Sequence, residues 1–299
     1  MPITTGNYAK ALWPGVKEWY GQAYAEYAQQ YSDIFDTMTS DKAFEEIVGA
    51  TGFGFAAIKP EGSSVAYDTS QQGFVNRFTH INVGLGFVIT QEAFEDDQYN
   101  LMGQLRARSL AKSIRITKET IGANVLNRAI TAGYTGGDGQ VLGSASHPLV
   151  GGGTFNNLSA VALSEAALED AIIAMGRWED DRGLRIAVKG TRLIVPPDNQ
   201  FEAERILNTD LRVSTADNDL NAIKSLGRIP GGFAVNNYLT DTASWYLKTD
   251  CDNGMIHFER KADTFTMDND FDTDNAKYKS TGRYSFGWAD PRGIWINMA

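Results

Sequence analysis

The chain has 299 residues, 42% of them hydrophobic, with 37 acidic against 27 basic side chains, a net charge of −10 and a pI near 4.8. That is enough apolar material for one large domain or two moderate ones, and it excludes wholesale disorder. The acidic balance argues against salt-sensitive nucleic-acid binding and against an anionic membrane surface, since both need a basic face. One cysteine, Cys251, permits no intrachain disulfide and fits a reducing compartment. No segment nears the roughly 18 consecutive apolar residues of a membrane span. The opening MPITTGNYAKALWPGVKEWYG holds no apolar run of signal-peptide type. The expectation is a soluble cytoplasmic protein.

The first predicted element carries an aromatic stripe. Tyr20, Tyr24, Tyr27, Tyr31 and Phe35 recur at helical spacing, with Trp19 beside them and Glu18, Gln22, Glu26 and Gln29 on the opposite face. Pro14 and Gly15 are expected to break the chain just before this helix. The stripe fits two readings: a helix packed on its own core, or an arm laid on a neighbouring subunit, where Tyr and Trp are favoured.

Residues 52 to 90 read as β. FVNRFTHINVGLGFVI alternates with a period of two. Upstream, GFGFAAIK is expected to pair with it through the turn-rich KPEGSS and DTSQQG. The resulting hairpin carries Lys59, Glu61, Asp68 and Arg77 and lacks a continuous apolar face, so it needs cover from elsewhere.

A long helix is predicted from about Glu92 to Ala132, a proline-free stretch whose acidic start complements the helix dipole. Leu101, Leu105, Leu110, Ile114, Ile121, Val125 and Ala129 step by three, four or seven, with one slip of five. A helix of some 38 residues would span about 57 Å, longer than a compact domain. GYTGGDGQVLGSASHPLVGGGTFNN is then a glycine-rich loop. Ser164 is placed as the cap of a shorter helix with Leu168, Ala171, Ile172 and Met175 inward. RLIVPP reads as a buried strand and FEAERILN as a short helix, in an α/β module over about 160–256. The last forty residues return to β, with FERKADTFTMD and KYKSTGRYSFGW as partner strands joined through DNDFDTDN.

The chemical motifs fail one by one. DNDFDTDN, Asp268 to Asn275, begins like a calcium loop with Asp270 and Asp272 in place. The sixth position is Thr273 where glycine is required, and the twelfth is Lys279 where a glutamate is required. A polar hairpin loop is the better reading. His80, His147 and His257 lie at no metal-binding spacing and no second cysteine exists for zinc, so they read as structural or surface residues. TGGDG and VGGGT lack the lysine and hydroxyl of a phosphate-binding loop, and no nucleophile elbow occurs. Acidic neighbours are expected to raise the Cys251 pKa and leave the thiol unreactive. No catalytic, cofactor or metal residue is assigned. Several parts have too few partners within one chain, which points to an obligate assembly.

Taken together, GLGFVITQEAFEDDQYN, TKETIGANVLNRAI, GGDGQVLGSASHPL, LIVPPDNQFEAERILN and DFDTDNAKYKSTGRYSFGWADPRG resemble the major capsid protein of tailed bacteriophages, in the Mu-like major head subunit branch. The likeness runs from about residue 50 to the C-terminus. It implies an α+β chain of the Hong Kong-type capsid fold. Residues 1–45 would be an N-terminal arm and 46–91 an extended β-hairpin loop. Residues 92–159 would form a peripheral domain with its spine helix, 160–256 an axial α/β domain, and 257–299 a β segment returning to the peripheral domain. It implies self-assembly in hexamers and pentamers of an icosahedral shell around double-stranded DNA, without sequence-specific binding. A portal protein and decoration proteins are further implied partners. Some relatives carry a long scaffolding segment ahead of the arm; here the arm starts almost at Met1, so a separate scaffolding protein is expected.

The residues expected to carry contacts between subunits are Trp19, Tyr20, Tyr24, Tyr27, Tyr31, Lys59, Glu61, Asp68, Arg77, Asp270 and Asp272. Deleting residues 1–35 is expected to abolish shells and leave a folded monomer. Two rival readings are an encapsulin-like nanocompartment and, in another class, a soluble metal-dependent hydrolase using the Asp-rich loop.

Overall fold

The computed structural model describes residues 9–90, 92, 99–211, 219–269 and 275–298. The chain opens with α1 (Ala9–Glu26) and, after a break at 27–30, α2 (Tyr31–Ile34). Pro14 and Gly15 lie inside α1, not ahead of it, and the helix ends after Glu26, so the aromatic stripe is shared between two helices. The break is stabilised from outside. Arg115 donates to the carbonyl of Tyr27 at 3.1 Å, and Glu119 accepts the N–H groups of Gln30 and Tyr31. Backbone groups freed from the helix ladder are thereby paired.

Four strands follow: β1 (Asp36–Thr39), β2 (Phe44–Ala50), β3 (Gln72–Thr79) and β4 (Ile81–Ile89). The partner of β3 is β2, from Phe44↔Thr79 to Ala50↔Gln72, and not the expected Gly52–Lys59 stretch. That stretch lies in the loop 51–71, which has no regular strand. Its two glycines weaken a strand, and Phe53 and Phe55 have no sheet face to cover. The loop is closed at its neck by Thr51, whose N–H donates to the Gln71 carbonyl at 2.9 Å while its Oγ1 accepts the Gln71 N–H at 2.8 Å. The alternating run 74–89 is also not one strand. It divides at His80, a buried ring held between Ser40 and Ser285. β3 goes to β2, whereas β4 pairs with β12 (Ala276–Trp288).

The long helix α3 (Tyr99–Asn127) has 29 residues, about 44 Å at 1.5 Å per residue. It stops short of the expected Ala132, where turns lead into Gly133 at φ 94°. Its buried face runs through Ala107, Leu110, Ala111, Ile114, Ala123 and Leu126. Leu105, where the leucine pattern slips by five, is exposed, and Arg115, Lys118 and Glu119 continue the buried stripe across the seven-residue step from Ile114 to Ile121.

Beside a short antiparallel pair, β5 (His147–Pro148) and β6 (Thr154–Phe155), two sheets organise the rest. In the four-stranded sheet the order is β1, β11 (Met255–Asn269), β12, β4. β1 runs parallel to β11, and the other pairs are antiparallel. α1 and α3 cover it through Tyr20, Leu110, Ile114, Ile89, Phe265 and Tyr278.

The five-stranded sheet has the order β7 (Leu158–Ser159), β13 (Ile294–Asn297), β10 (Trp245–Thr249), β8 (Gly190–Val195), β9 (Phe233–Val235). It therefore draws strands from both sides of the 160–256 stretch. Both of its faces are buried, as the period of two requires. Leu193, Val195, Trp245, Leu247 and Trp295 face α4 (Glu165–Gly176) and α5 (Gln200–Asn208). Ile194, Tyr246, Ile294 and Ile296 face a second cluster with Tyr31, Phe35 and Leu126. Ser164 caps α4 as expected, its Oγ accepting from the Ala167 N–H at 3.2 Å.

Candidate functional site

The N-terminal residues are fastened to their own chain. Tyr20 is buried, stacks on Phe265 at 4.7 Å, and its hydroxyl meets Ser280 Oγ at 2.7 Å. The Tyr24 hydroxyl donates to Asp263 at 2.6 Å, and burial and then that carboxylate raise its pKa. The Arg115 guanidinium lies 4.9 Å over the Tyr24 ring. Trp19 and Tyr27 are half-buried, and Trp19 packs against the cluster around Tyr20. Tyr31 is buried with Ile34 and Phe35 in the cluster beneath the five-stranded sheet. Arg192 pairs with Asp33 and ties α2 to β8. Residues 19–35 thus enter two cores. Deleting them would open both, so the expected folded monomer does not follow; the stripe is not a loose arm.

Beneath this segment lies a group of charges that the sequence reading missed. Arg115, Lys118 and Glu119 are all within 3% exposure on α3. Lys118 reaches Glu259 of β11 at 2.9 Å and sits under the rings of Tyr31 and Tyr284. Glu119 points both oxygens at the α2 backbone. Burial raises its pKa, opposed by those two N–H groups and by the Arg115 and Lys118 charges. The available signal was R-x-x-K-E falling on the apolar stripe of a helix.

The hairpin loop is different. Lys59 and Glu61 are exposed. Asp68 takes both bonds from Arg182 at 2.8 Å, which join the loop to the α/β module of the same chain, and accepts the N–H groups of Gly54 and Thr69 within the loop. Arg77 lies 3.7 Å over the Phe44 ring and 3.9 Å from Glu46. Phe53, Phe55, Ile58, Val65 and Tyr67 are between 60% and 96% exposed. The sequence reading singled out the loop's charges and passed over these side chains, because Phe53 and Phe55 alternate like an ordinary strand. Asp270 and Asp272 lie outside the described residues, between Asn269 and its partner Ala276 at the end of the β11–β12 ladder.

The titratable groups that resembled catalytic candidates are built into the scaffold. His147 is fully buried, with Nδ1 2.6 Å from Asp138 and Nε2 3.2 Å from both the Leu142 carbonyl and Asn157 Oδ1. It pins the glycine-rich loop. Ser40 stands between Glu45 and His80, but its hydroxyl donates to Glu45 at 2.7 Å. In a nucleophilic triad the histidine takes that proton, so the order is wrong for catalysis. Burial and then Asp290 push the Cys251 thiol up to about 12, the pKa of an unreactive cysteine. Among the described residues no group of three metal-ligating side chains forms, and no helix is long and apolar enough to cross a membrane.

The model of the phage capsid protein family matches residues 79–297, well over half of the chain. The chain belongs to the phage capsid protein family. Solved structures agree on the fold. The procapsid of bacteriophage JBD30 superposes with a TM-score of 0.54 at 14% identity, over 97% of this chain and 74% of that one. A phage-related protein from Bordetella bronchiseptica RB50 gives 0.52 at 9% identity, over 93% and 95%. The virus-like particle from Pyrococcus furiosus gives 0.51 at 8%, over 94% and 97%. No curated protein matches the chain. The expected Hong Kong-type capsid fold is therefore the fold observed, and the family is one of structural shell proteins.

Proposed function

We propose that the chain is the repeated subunit of the icosahedral head of a tailed phage or prophage, closing in hexamers and pentamers around double-stranded DNA after synthesis in the bacterial cytoplasm. In this reading residues 1–45 are the N-terminal arm and 46–91 the extended loop. Residues 92–159 and 257–299 make the peripheral domain, and 160–256 the axial domain. The observation that carries it is the exposed apolar set on the loop 51–71, from Phe53 to Tyr67. Large apolar side chains exposed together on one loop mark a protein interface, and the family supplies the partner, further copies of the same chain. Many modest contacts repeated by symmetry sum to a stable shell. The net charge of −10 suits a container that does not grip its DNA.

A separate scaffolding protein, a portal protein and decoration proteins are proposed partners. Membership of a Mu-like branch rests on the stretches quoted above. An encapsulin-like compartment is the second reading, favoured only by the fold shared with the virus-like particle.

Negative-stain microscopy of the purified full-length chain, with sedimentation alongside, tests the proposal. Closed shells or rings of five and six subunits support it, and DNA inside them separates the phage reading from the compartment reading. A monomer unchanged by concentration and by added scaffold overturns it.

A further inference from the structure

Sheets blunt their free edges with short strands, lysines, prolines or bulges, because an open row of N–H and C=O groups recruits further strands. β4 has none of these devices. Its nine residues, INVGLGFVI, include no charge and no proline, and its register with β12 runs unbroken from Ile81↔Tyr284 to Ile89↔Ala276. Among the described residues β12 is its only sheet neighbour, so its other edge is open. Ile81, Leu85 and Val88 are 43%, 50% and 54% exposed along it. Other edges are guarded. β1 has four residues, β9 three and β7 two, while β2 and β3 carry Glu45, Glu46 and Arg77. The loop 51–71 holds the complement to β4. Its stretch GFGFAAIK alternates like a strand yet lies outside any sheet. Between Phe53 and Ile58, among the described residues, the one backbone N–H with a partner is that of Gly54, on Asp68 at 2.8 Å.

We infer that residues 53–58 of one copy add as a strand to the open edge of β4 in a second copy, extending its four-stranded sheet to five. Along a strand, successive residues aim their backbone groups at opposite edges. Gly54 spends its N–H on Asp68, which leaves Phe53, Phe55 and Ala57 to pair with the other copy. Side-chain alternation then puts Phe53 and Phe55 on one face and Gly54 and Ala56 on the other. β4 offers matching faces. Val83, Phe87 and Ile89 turn toward the cluster under α1 and α3, so Ile81 and Leu85 share that face at its uncovered margin, with Gly84 and Gly86 on the opposite one. The phenylalanines thereby cover Ile81 and Leu85, and small residues lie beside glycines. A neighbour supplies the sheet face that Phe53 and Phe55 lack in their own chain. That chain holds them away from its own β4. Arg182 fastens the loop beyond Gln72, about 23 Å along β3 from Thr79, whereas β4 starts at Ile81. Main-chain bonds give such a contact affinity and the alternate side chains give it register. Each copy gives a segment and receives another's, a heterologous contact that closes rings when its rotation permits. The inference rests on the shell reading for the presence of neighbouring copies.

Three experiments on full-length chains test it. In a Cys251→Ser background, Phe55→Cys is mixed with Ile81→Cys or with Leu85→Cys, two positions that bracket the register, and oxidised under assembly conditions. A disulfide from position 55 of one copy to position 81 or 85 of another is expected as the main product in shells. Disulfides between two copies of position 81 or of position 85 in its place would show β4 edges pairing with each other and overturn the choice of occupant. Shells with neither product overturn the inference and leave the shell reading standing. The expected disulfide in a chain that closes no shells does the reverse, and the absence of both overturns both. Hydrogen exchange separates backbone pairing from side-chain contact. Amides within 53–58 and along the open edge of 81–89 should exchange about tenfold or more slower in shells than in the unassembled chain. Unchanged rates in either segment overturn strand addition. Leu85→Lys places an edge lysine at a half-exposed position and should abolish shells while leaving the circular dichroism melt near that of wild type. Normal shells from that variant overturn the inference.

Discussion

The carboxylate of Glu119 accepts the backbone N–H of Tyr31 at 2.9 Å, so the first turn of α2 is capped by a side chain 88 positions further along the chain. The same carboxylate takes the Gln30 N–H at 3.1 Å and stands 3.9 Å from Arg115 Nε. Removing it leaves buried donors unpaired and two buried cations under-compensated. Glu119→Ala should cost about 3 kcal/mol or more, the range for breaking a buried ion pair. Glu119→Gln should cost less, because its amide oxygen still accepts. Urea unfolding of the unassembled chain measures both, and equal stability of wild type and Glu119→Ala would remove Glu119 from the list of fastenings.

His257 sets an acid sensitivity. Burial first, then the Lys118 charge, lower its pKa from 6.5 to about 4, against an opposing pull from Glu259. The ring is stacked 4.4 Å from Phe286, has Tyr31 and Tyr284 edge-on, and meets Thr37 Oγ1 at Nδ1. A base whose pKa falls on folding is held neutral by the fold. Its contribution is complete above pH 6.5 and is lost as the pH falls toward 4, an effect of about 3 kcal/mol. Glu119, whose pKa is raised, acts in the opposite sense, favouring the fold as it becomes protonated. The comparison with His257→Phe isolates the histidine, and unfolding free energy should fall less steeply between pH 6.5 and 4 in the variant than in the wild type; equal slopes would remove His257 from the account.

Arg182 restrains the hairpin loop more than it stabilises the fold. Its pair with Asp68 is partly exposed, with side chains 28% and 39% accessible, and pairs of that kind are worth about 1 kcal/mol or less. Arg182→Ala should leave the melting temperature within about 3 °C of wild type. Hydrogen exchange of residues 52–71 in the unassembled chain should quicken several-fold, because the tether links loop to module. Unchanged exchange there would show that the neck at Thr51 alone holds the loop.

Two glycines should behave oppositely. A Cβ at Gly137 would lie 2.3 Å from the Val75 carbonyl oxygen, where the loop 133–137 meets β3. Gly137→Ala must push hairpin and loop apart and should cost about 1–3 kcal/mol. A Cβ at Gly176, at the end of α4, meets nothing within 4 Å. Gly176→Ala should be neutral or gain up to about 1 kcal/mol. Thermal melts of the two variants in parallel decide the matter.

Local signals were read well where the sequence states them locally. The Ser164 cap, the buried strand at 190–195 and the β11–β12 ladder follow from capping chemistry and a period of two. Long-range choices were not legible. Nothing in Phe44–Ala50 marks it as a better partner for β3 than Gly52–Lys59; the decision lies in which residues find a face to cover. The slip in the α3 pattern came from following leucines, whereas the buried stripe runs through alanines, Arg115, Lys118 and Glu119. Charges read as solvent-facing until a partner surface is known. Of the expected contact residues, Tyr20, Tyr31 and Asp68 are engaged within the chain and Lys59 and Glu61 stand open, because a side chain's type does not reveal whether its nearest partner belongs to its own chain.

The attachment of the first helices has a kinetic corollary. Tyr20 meets Ser280 across 260 positions, and Arg192 meets Asp33 across 159. Neither contact can form until the downstream residue has been synthesised, and closing loops of that length slows folding. Newly made chains should therefore pass through a populated stage with α1 and α2 undocked and the apolar lining beneath them uncovered. In a crowded cell, where each chain is surrounded by growing copies of itself, that interval is when helper proteins can hold a subunit back and when mispairing between copies is most dangerous. How quickly the front of the chain finds its seat sets the rate at which competent building blocks appear.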